Sequence, residues 1–314
     1  MRKALIIGHH GQDGRLMSGY LSSLGYEVRG WGREGCDVLP GTYGMSICDF
    51  EAVSMVMREW QPDEVYHFAA HHHSSEQTAE DEQALFEKCV DVNVMSLVHF
   101  LRASSEHSPA TRIFYASSSR IFGAPQGGVA SEDTDFEPVC VYGFTKLTAL
   151  HACRYFRRCH GLHVSVGVLF NHESVHRPAH YFSKKVIQGA LSIRQGLQKE
   201  LRLGSLSAGA DWGYTPDTVR KIHRMMQMPE GGDYVIATGK AHTAAKFVET
   251  AFSLVGLDWR EHVRADAVAG CKARPLLRGD DTRFRKECDW DEKRSFQDMI
   301  RQLIIDAGGQ EYLQ

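Results

Sequence analysis

Lys3-Ala4-Leu5-Ile6-Ile7-Gly8-His9-His10-Gly11-Gln12-Asp13-Gly14 opens the chain and decides its fold. A short, mostly apolar run stops at a glycine, and glycine then recurs at every third position. A helical pattern follows as far as Leu24. The apolar run reads as a buried strand. Glycines at this spacing allow a tight turn and a close approach of backbone to a pyrophosphate. The helix beyond them offers unpaired N–H groups and the positive end of its dipole. Glycine spacing alone marks only a βα turn; the strand before it and the helix after it make it a dinucleotide-binding signal. Gly8, Gly11, Gln12, Asp13 and Gly14 are therefore candidate cofactor contacts. Asp13 is expected to cap or anchor the helix.

The pattern repeats downstream. Tyr26 to Trp31 reads as a second strand, and Val53, Val56, Met57 and Trp60 recur at helical spacing. Glu64 to Ala70 reads as a strand, Asp91 to Ala103 as a helix, and Ile113 to Ala116 and Val164 to Phe170 as buried strands. Strands alternating with helices predict an α/β fold, a Rossmann-type doubly wound parallel sheet. Residues 1–170 are assigned to that nucleotide-binding unit. Residues 171–314 are expected to form mainly a smaller substrate-binding part, with some elements returning to the first. Short apolar segments there (Leu201 to Leu203, Tyr234 to Ala237) alternate with helices at Lys184 to Gly196, Ala244 to Leu254 and Ser295 to Ala307.

Composition narrows the class. The chain has 314 residues and a net charge near −3, so nothing electrostatic points to nucleic acid. No apolar run approaches the roughly 18 residues of a membrane span. The first strand begins at once, which leaves no room for a signal peptide. Eight cysteines are scattered without a C-x-x-C pair, as expected of free thiols in a reducing compartment. The cytoplasm is the expected location. Adjacent histidines (His9-His10 and His71-His72-His73) invite a metal, but no carboxylate or thiol spacing completes a ligand set, and no metal is expected.

Two places carry the chemistry. The end of the second strand selects between cofactors: an arginine favours a 2′-phosphate and an acidic residue a 2′-hydroxyl. Arg33 stands there and favours NADP, while the adjacent Glu34 leaves NAD open. Further on, Phe114 to Ser119 reads as a strand ending in hydroxyls, and Tyr142 and Lys146 follow one helical turn apart. A lysine beside a tyrosine is expected to lower the phenol's pKa and make it a usable base. Ser118 would align the substrate hydroxyl. Ser118, Tyr142 and Lys146 are the candidate catalytic residues.

The order of these motifs resembles an extended short-chain dehydrogenase/reductase and, more narrowly, the GDP-mannose 4,6-dehydratase family. The narrower likeness rests on Gly11-Gln12-Asp13-Gly14, Leu169-Phe170-Asn171-His172-Glu173-Ser174, Asp211-Trp212-Gly213, Val235-Ile236-Ala237-Thr238-Gly239, Arg274-Pro275 and Asp289-Trp290. The resemblance implies that His172, Arg177, Ser46 and Ile47 contact the cofactor. It also implies that Phe68, Ala69, Ala70, His71 and His72 line its cleft. Ser119, Arg120, Asn171, Lys185 and Arg274 would face a nucleotide sugar, a GDP-sugar by the same resemblance. A homodimer or homotetramer is implied as well. The family oxidises C4 of the hexose, removes the C5 proton with a glutamate, expels water from C6 and returns hydride there.

Three departures stand out. Arg120 occupies the position of the eliminating glutamate. Ala210 stands where an arginine is expected before Asp211-Trp212-Gly213. The chain after Arg274-Pro275 is shortened. An arginine is never a base in a protein, since its pKa lies above about 12. Arg120 would instead pair with a substrate anion or form a structural salt bridge. The expected activity is therefore NAD(P)-dependent hydride transfer at C4 without elimination. Two alternatives are a 4,6-dehydratase using another base and a non-catalytic cofactor-binding homologue. Glu132-Asp133-Thr134-Asp135 is a conceivable source of such a base, but reads as a solvated loop. Cys140 reads as a core or helix-face residue.

Overall fold

The computed structural model describes residues 1–39, 41–72, 81–265, 276–291 and 293–314. In chain order the first half holds β1 (Lys3–Ile7), α1 (Gln12–Ser23), β2 (Glu27–Gly32), β3 (Gly35–Cys36), α2 (Phe50–Trp60), β4 (Glu64–His67), α3 (Glu82–Val90), α4 (Ser96–His107), β5 (Arg112–Ser118), β6 (Val129–Ala130) and α5 (Val141–His160). The second half holds β7 (Val164–Leu169), β8 (Asn171–Glu173), α6 (Phe182–Arg194), β9 (Leu201–Leu203), β10 (Gly209–Tyr214), α7 (Thr215–Met226), β11 (Asp233–Ile236), β12 (Ala241–Thr243), α8 (Ala244–Leu254), α9 (Trp259–His262), β13 (Val263–Ala265), β14 (Arg278–Gly279), α10 (Thr282–Glu287) and α11 (Phe296–Asp306).

Seven strands form the main sheet in the order β11-β7-β5-β4-β1-β2-β3. All neighbours run parallel except the two-residue β3, which folds back on β2. Both faces are covered, so the inner strands β1, β4 and β7 are buried along nearly their whole length. Alternate side chains of β1 go to opposite sides. Leu5 and Ile7 join Val53, Leu97, Phe100 and Leu150 under α2, α4 and α5. Ala4 and Ile6 join Met17, Leu21, Val219 and Ile222 under α1 and α7. The strand order reverses between β1 and β4, and such a switch opens a crevice beyond the carboxyl ends of the strands.

A second core gathers α6, α8 and α11 around Trp212, Phe247 and Phe252. Small sheets β12-β10-β8 and β13-β9 belong to this side. β11 rejoins the main sheet beside β7, with α10 packed on it. Asp211 fastens these parts. Its buried carboxylate accepts from the N–H of Thr238 and Gly239 (both 3.0 Å), the N–H of Gly279 (3.2 Å) and the Thr238 hydroxyl (2.5 Å). Hydrogen bonds to a charged group contribute about 1.5–3 kcal/mol each.

Most expected elements lie within one or two residues of their observed bounds. Two differences stand out. Glu82–Val90 is helical, which was not expected. The helix expected over Asp91 to Ala103 begins with a π turn at Asp91–Met95 and continues to His107. Among the described residues no helix is long and apolar enough to cross a membrane.

Candidate active site

Ser118 ends β5 and caps the short turn that follows, its hydroxyl accepting the Arg120 N–H at 3.3 Å. That turn presses on the start of α5. A Cβ on Gly143 would stand 2.5 Å from the Arg120 carbonyl oxygen, so only glycine permits the contact. Cys140 caps α5 through its sulfur, which accepts the Gly143 N–H at 3.4 Å. This corrects its reading as a core or helix-face residue. The tight junction brings Tyr142 close to Ser118, whose hydroxyl pulls the phenol pKa down. His72 meets the Tyr142 ring edge-on at 4.7 Å.

Lys146 follows one turn later and is fully buried. Its ammonium donates to the Ala116 carbonyl at 2.8 Å and lies 5.6 Å from the Tyr142 ring centre. Burial pulls its pKa down to about 7. Burial also pushes the Tyr142 phenol above its ordinary value, with Asp13 and Tyr181 adding to the rise and Arg177 and Ser118 opposing it. Arg177, where Lys146 was expected, is the cation whose charge draws that phenol down.

The glycine turn sits beside this cluster. Gly8 has φ +84°, and its N–H donates to the Trp31 carbonyl at 2.7 Å. A Cβ on Gly8 would lie 2.9 Å from the Ala69 nitrogen, and one on Gly14 would lie 2.5 Å from the His9 Cα. The ends of β1, β2 and β4 are thus held in backbone contact. Gly11 is the N-cap of α1, with no side chain capping it. Asp13 is therefore no cap. It accepts instead from His172 Nε2 at 3.0 Å and from Gln12 Nε2 at 3.3 Å. Gln12 also donates to the His172 carbonyl (3.1 Å) and accepts from Ser174 (2.9 Å).

His172 donates through both ring nitrogens, since its Nδ1 faces the Phe170 carbonyl at 2.6 Å. Two acceptor-only partners require the imidazolium. Burial opposes that charge, but Asp13 more than offsets it and raises the His172 pKa. Asp13 is held below the ordinary carboxylate value: burial would raise it, and His172 and Arg177 overcome that. Arg177 completes the group, donating to Glu173 and to the His172 carbonyl, each at 3.1 Å.

The segment after β4 divides. The Phe68 ring packs against Phe114 at the edge of the core. Ala69 and Ala70 are half-buried, and His71 is clamped by Asn93. The Asn93 carboxamide accepts the His71 N–H at 2.7 Å and donates to its carbonyl at 3.2 Å and to Thr145 at 3.0 Å. Sequence reading missed Asn93. Its signal is a fully buried amide in an apolar helix, at a π turn of the kind that often marks functional sites.

Arg33 and Glu34 occupy the exposed turn between β2 and β3. Ser46 and Ile47 follow Met45, whose carbonyl is held by the Trp31 indole at 2.9 Å, so they lie at the same end of β2.

On the substrate side, Ser119 is half-buried and Arg120 is exposed. Among the described residues the Arg120 guanidinium has no hydrogen bond or ion pair, so the expected structural salt bridge is absent. Asn171 lines a cleft of about 860 Å³ with Trp212, Asp217, Lys221, Thr238 and Arg294. Lys185 lies in the first turn of α6 and does not line that cleft. Arg274 lies outside the described residues, as does His73. Leu276 packs on Gly209, beside Ala210, across the start of β10. Glu132 is no solvated loop residue: its carboxylate accepts the Val235 N–H at 2.7 Å, and burial raises its pKa. Among the described residues no group of three or more metal-ligating side chains is found.

A doubly wound sheet with Ser at the end of β5 and Tyr and Lys on α5 defines an enzyme of the extended short-chain dehydrogenase/reductase class. The chain belongs to the GDP-mannose 4,6-dehydratase family, whose profile it matches over residues 5–303. It is 30% identical to GDP-mannose 4,6 dehydratase 1 of Arabidopsis thaliana, covering 96% of this chain and 88% of that one. The human GDP-mannose 4,6 dehydratase is 29% identical over 96% and 90% of the two chains. Among solved structures, RMD from Pseudomonas aeruginosa complexed with NADPH superposes with a TM-score of 0.81 at 17% identity, covering 98% of each chain. The dTDP-glucose 4,6-dehydratase of Bacillus anthracis in complex with NAD gives 0.79 at 17% identity, covering 100% of this chain and 99% of that one. At that identity both show a shared fold.

The Asp13–His172 pair has a pH signature. His172 has a raised pKa, so its share of stability is complete below its ordinary 6.5 and is lost as pH rises through the raised value. Asp13 has a lowered pKa, so its share is present above its ordinary 3.8 and is lost on acidification. Urea midpoints of wild type and His172→Gln are expected to differ most between those two values and to converge at alkaline pH. A difference that stays constant up to high pH would show that His172 is not charged.

Proposed function

We propose that the chain oxidises, or in reverse reduces, C4 of a nucleotide-activated hexose, a GDP-hexose or related GDP-sugar, with NADP as cofactor and without eliminating water. The observation that carries this reading is the gathering of Ser118, Tyr142 and Lys146 beside an exposed Arg120, two residues after Ser118, whose guanidinium has no partner among the described residues. The relatives' names support a GDP-sugar. The bare glycine cradle and the uncapped start of α1 fit a dinucleotide pyrophosphate. Arg33 at the end of β2 supports NADP.

Bound nicotinamide supplies the hydride acceptor. The protein does the rest. Ser118 holds the C4 hydroxyl against Tyr142, which takes its proton. Burial raises the phenol pKa, so positive charge from Arg177, Lys146 and the nicotinamide ring must draw the proton off. Elimination needs a base at C5, and a guanidinium cannot serve. Glu132, the carboxylate that sequence reading offered, is committed to β11. Its commitment counts against the dehydratase reading.

An exposed apolar stripe supports a homodimer or homotetramer. Phe144 and Tyr155 lie three turns apart on α5. Phe86 of α3 meets Phe144 at 5.6 Å, and Val139 is exposed just before the helix. Such patches mark interfaces. A compartment that keeps thiols reduced fits the described cysteines, which form no disulfide among themselves.

Four outcomes are expected. With NADP and GDP-mannose or another GDP-sugar, mass spectrometry should show loss of two hydrogens while reduced cofactor appears; loss of water would sink the reading. Tyr142→Phe should lower turnover by about 100-fold or more. Arg120→Glu should bring water loss into the product, and its continued absence would mean that more than Arg120 blocks elimination. Light scattering should give a multiple of the 35.3 kDa chain mass, reduced by Phe144→Asp.

A further inference from the structure

The turn between Gly8 and Gly11 carries two imidazoles, and neither has a role in hydride transfer. β2 ends Gly30-Trp31-Gly32, and its two glycines are what seat them. A Cβ on Gly30 would lie 2.5 Å from the His9 Cδ2, and one on Gly32 would lie 3.0 Å from the His10 Nδ1 and 3.2 Å from the His9 Cε1. The ring centres are 3.8 Å apart. His9 is half-buried and His10 exposed. The Nδ1 of His9 is buried and has no hydrogen-bond partner among the described residues.

The end of β2 is where dinucleotide-binding sheets distinguish a ribose 2′-hydroxyl from a 2′-phosphate. We infer that His10, backed by His9, reads the 2′-phosphate of the cofactor's adenosine ribose together with Arg33. The inference rests on the NADP reading above and assigns the discrimination to named side chains.

Charge makes the argument. His9 has a lowered pKa, first through burial and then through the neighbouring His10; Arg15 also lowers it, while Asp37 raises it. Arg15 reaches this turn through the His10 carbonyl at 2.8 Å, and Asp37 accepts the Gly30 N–H at 3.0 Å. Glu34 is the carboxylate on the β2–β3 turn itself. Two imidazoles this close repel each other when charged. A phosphate monoester carrying about −1.5 to −2 charge offsets that repulsion and accepts from both rings. A 2′-hydroxyl brings no charge and offsets nothing. The same two rings used as a stacking surface for adenine would serve both cofactors equally.

Fluorescence titration of the full chain with NADPH and with NADH separates these cases. Wild type should bind NADPH more tightly. His10→Gln should weaken NADPH about tenfold or more and leave NADH within about twofold. His10→Lys, which keeps a cation, should retain the preference for NADPH. Equal weakening of both cofactors would overturn the inference in favour of adenine stacking. An unchanged preference in His10→Gln would overturn it in favour of Arg33 alone, with the NADP reading intact. Wild type binding NADH at least as tightly as NADPH would remove the NADP reading itself.

Discussion

One buried ion pair, Asp13 with His172, holds the candidate site in register. Asp13 belongs to the first turn of α1, directly behind the glycine cradle. His172 belongs to β8, the strand that carries Asn171 toward the large cleft. A 3.0 Å contact between them fixes the distance from the cofactor cradle to the substrate side. Both ring nitrogens of His172 are engaged, so the imidazole cannot turn away. Breaking one partner of a buried pair leaves an uncompensated charge, which costs about 3–5 kcal/mol. Gln12, Ser174, Arg177 and Glu173 surround the pair with further hydrogen bonds, and the site is stiff as a result.

The same pair sets the electrostatics of the base. Asp13 raises the Tyr142 phenol and supports the Lys146 ammonium against burial, while Arg177 pulls the phenol down. Lys146 alone, pulled to about 7, is a poor source of positive potential at neutral pH. Activation of the tyrosine is therefore shared among residues from α1, the loop after β8 and α5. A constellation spread this way depends on the fold to align it, and the close backbone contacts at Gly8, Gly14 and Gly143 provide that alignment.

What was legible in the sequence was what a local pattern can encode. The glycine turn, the alternation of strands and helices, and the four-residue spacing of Tyr142 and Lys146 all depend on neighbours in the chain. Contacts between distant segments were not legible. Asn93 reaches back to His71 from a π turn, and no periodicity announces an extra residue in a helix. Glu132 looked solvated because the loop is acidic, yet β11 arrives beside it a hundred residues later. Cys140 looked like a packing residue because sulfur is a rare helix cap. The role of Asp13 was half legible: a carboxylate at a helix start suggests a cap, and only the fold reveals the imidazolium waiting for it.

The position of Arg120 explains how one chemical step can change while the other survives. Ser118, Tyr142 and Lys146 are held by β5, α5 and the core beneath them, where substitutions disturb packing. Arg120 stands on the exposed outer side of a single short turn, and only its backbone is constrained, through Ser118 and Gly143. A side chain there can alter without cost to the junction that seats Tyr142. Under the proposed function, hydride transfer and proton removal at C5 draw on different parts of the fold, one rigid and one tolerant. Replacing a carboxylate by a guanidinium on the tolerant part removes the base and adds a cation facing the same space. On the proposed reading, the arrangement left behind is that of an oxidoreductase built on a dehydratase scaffold.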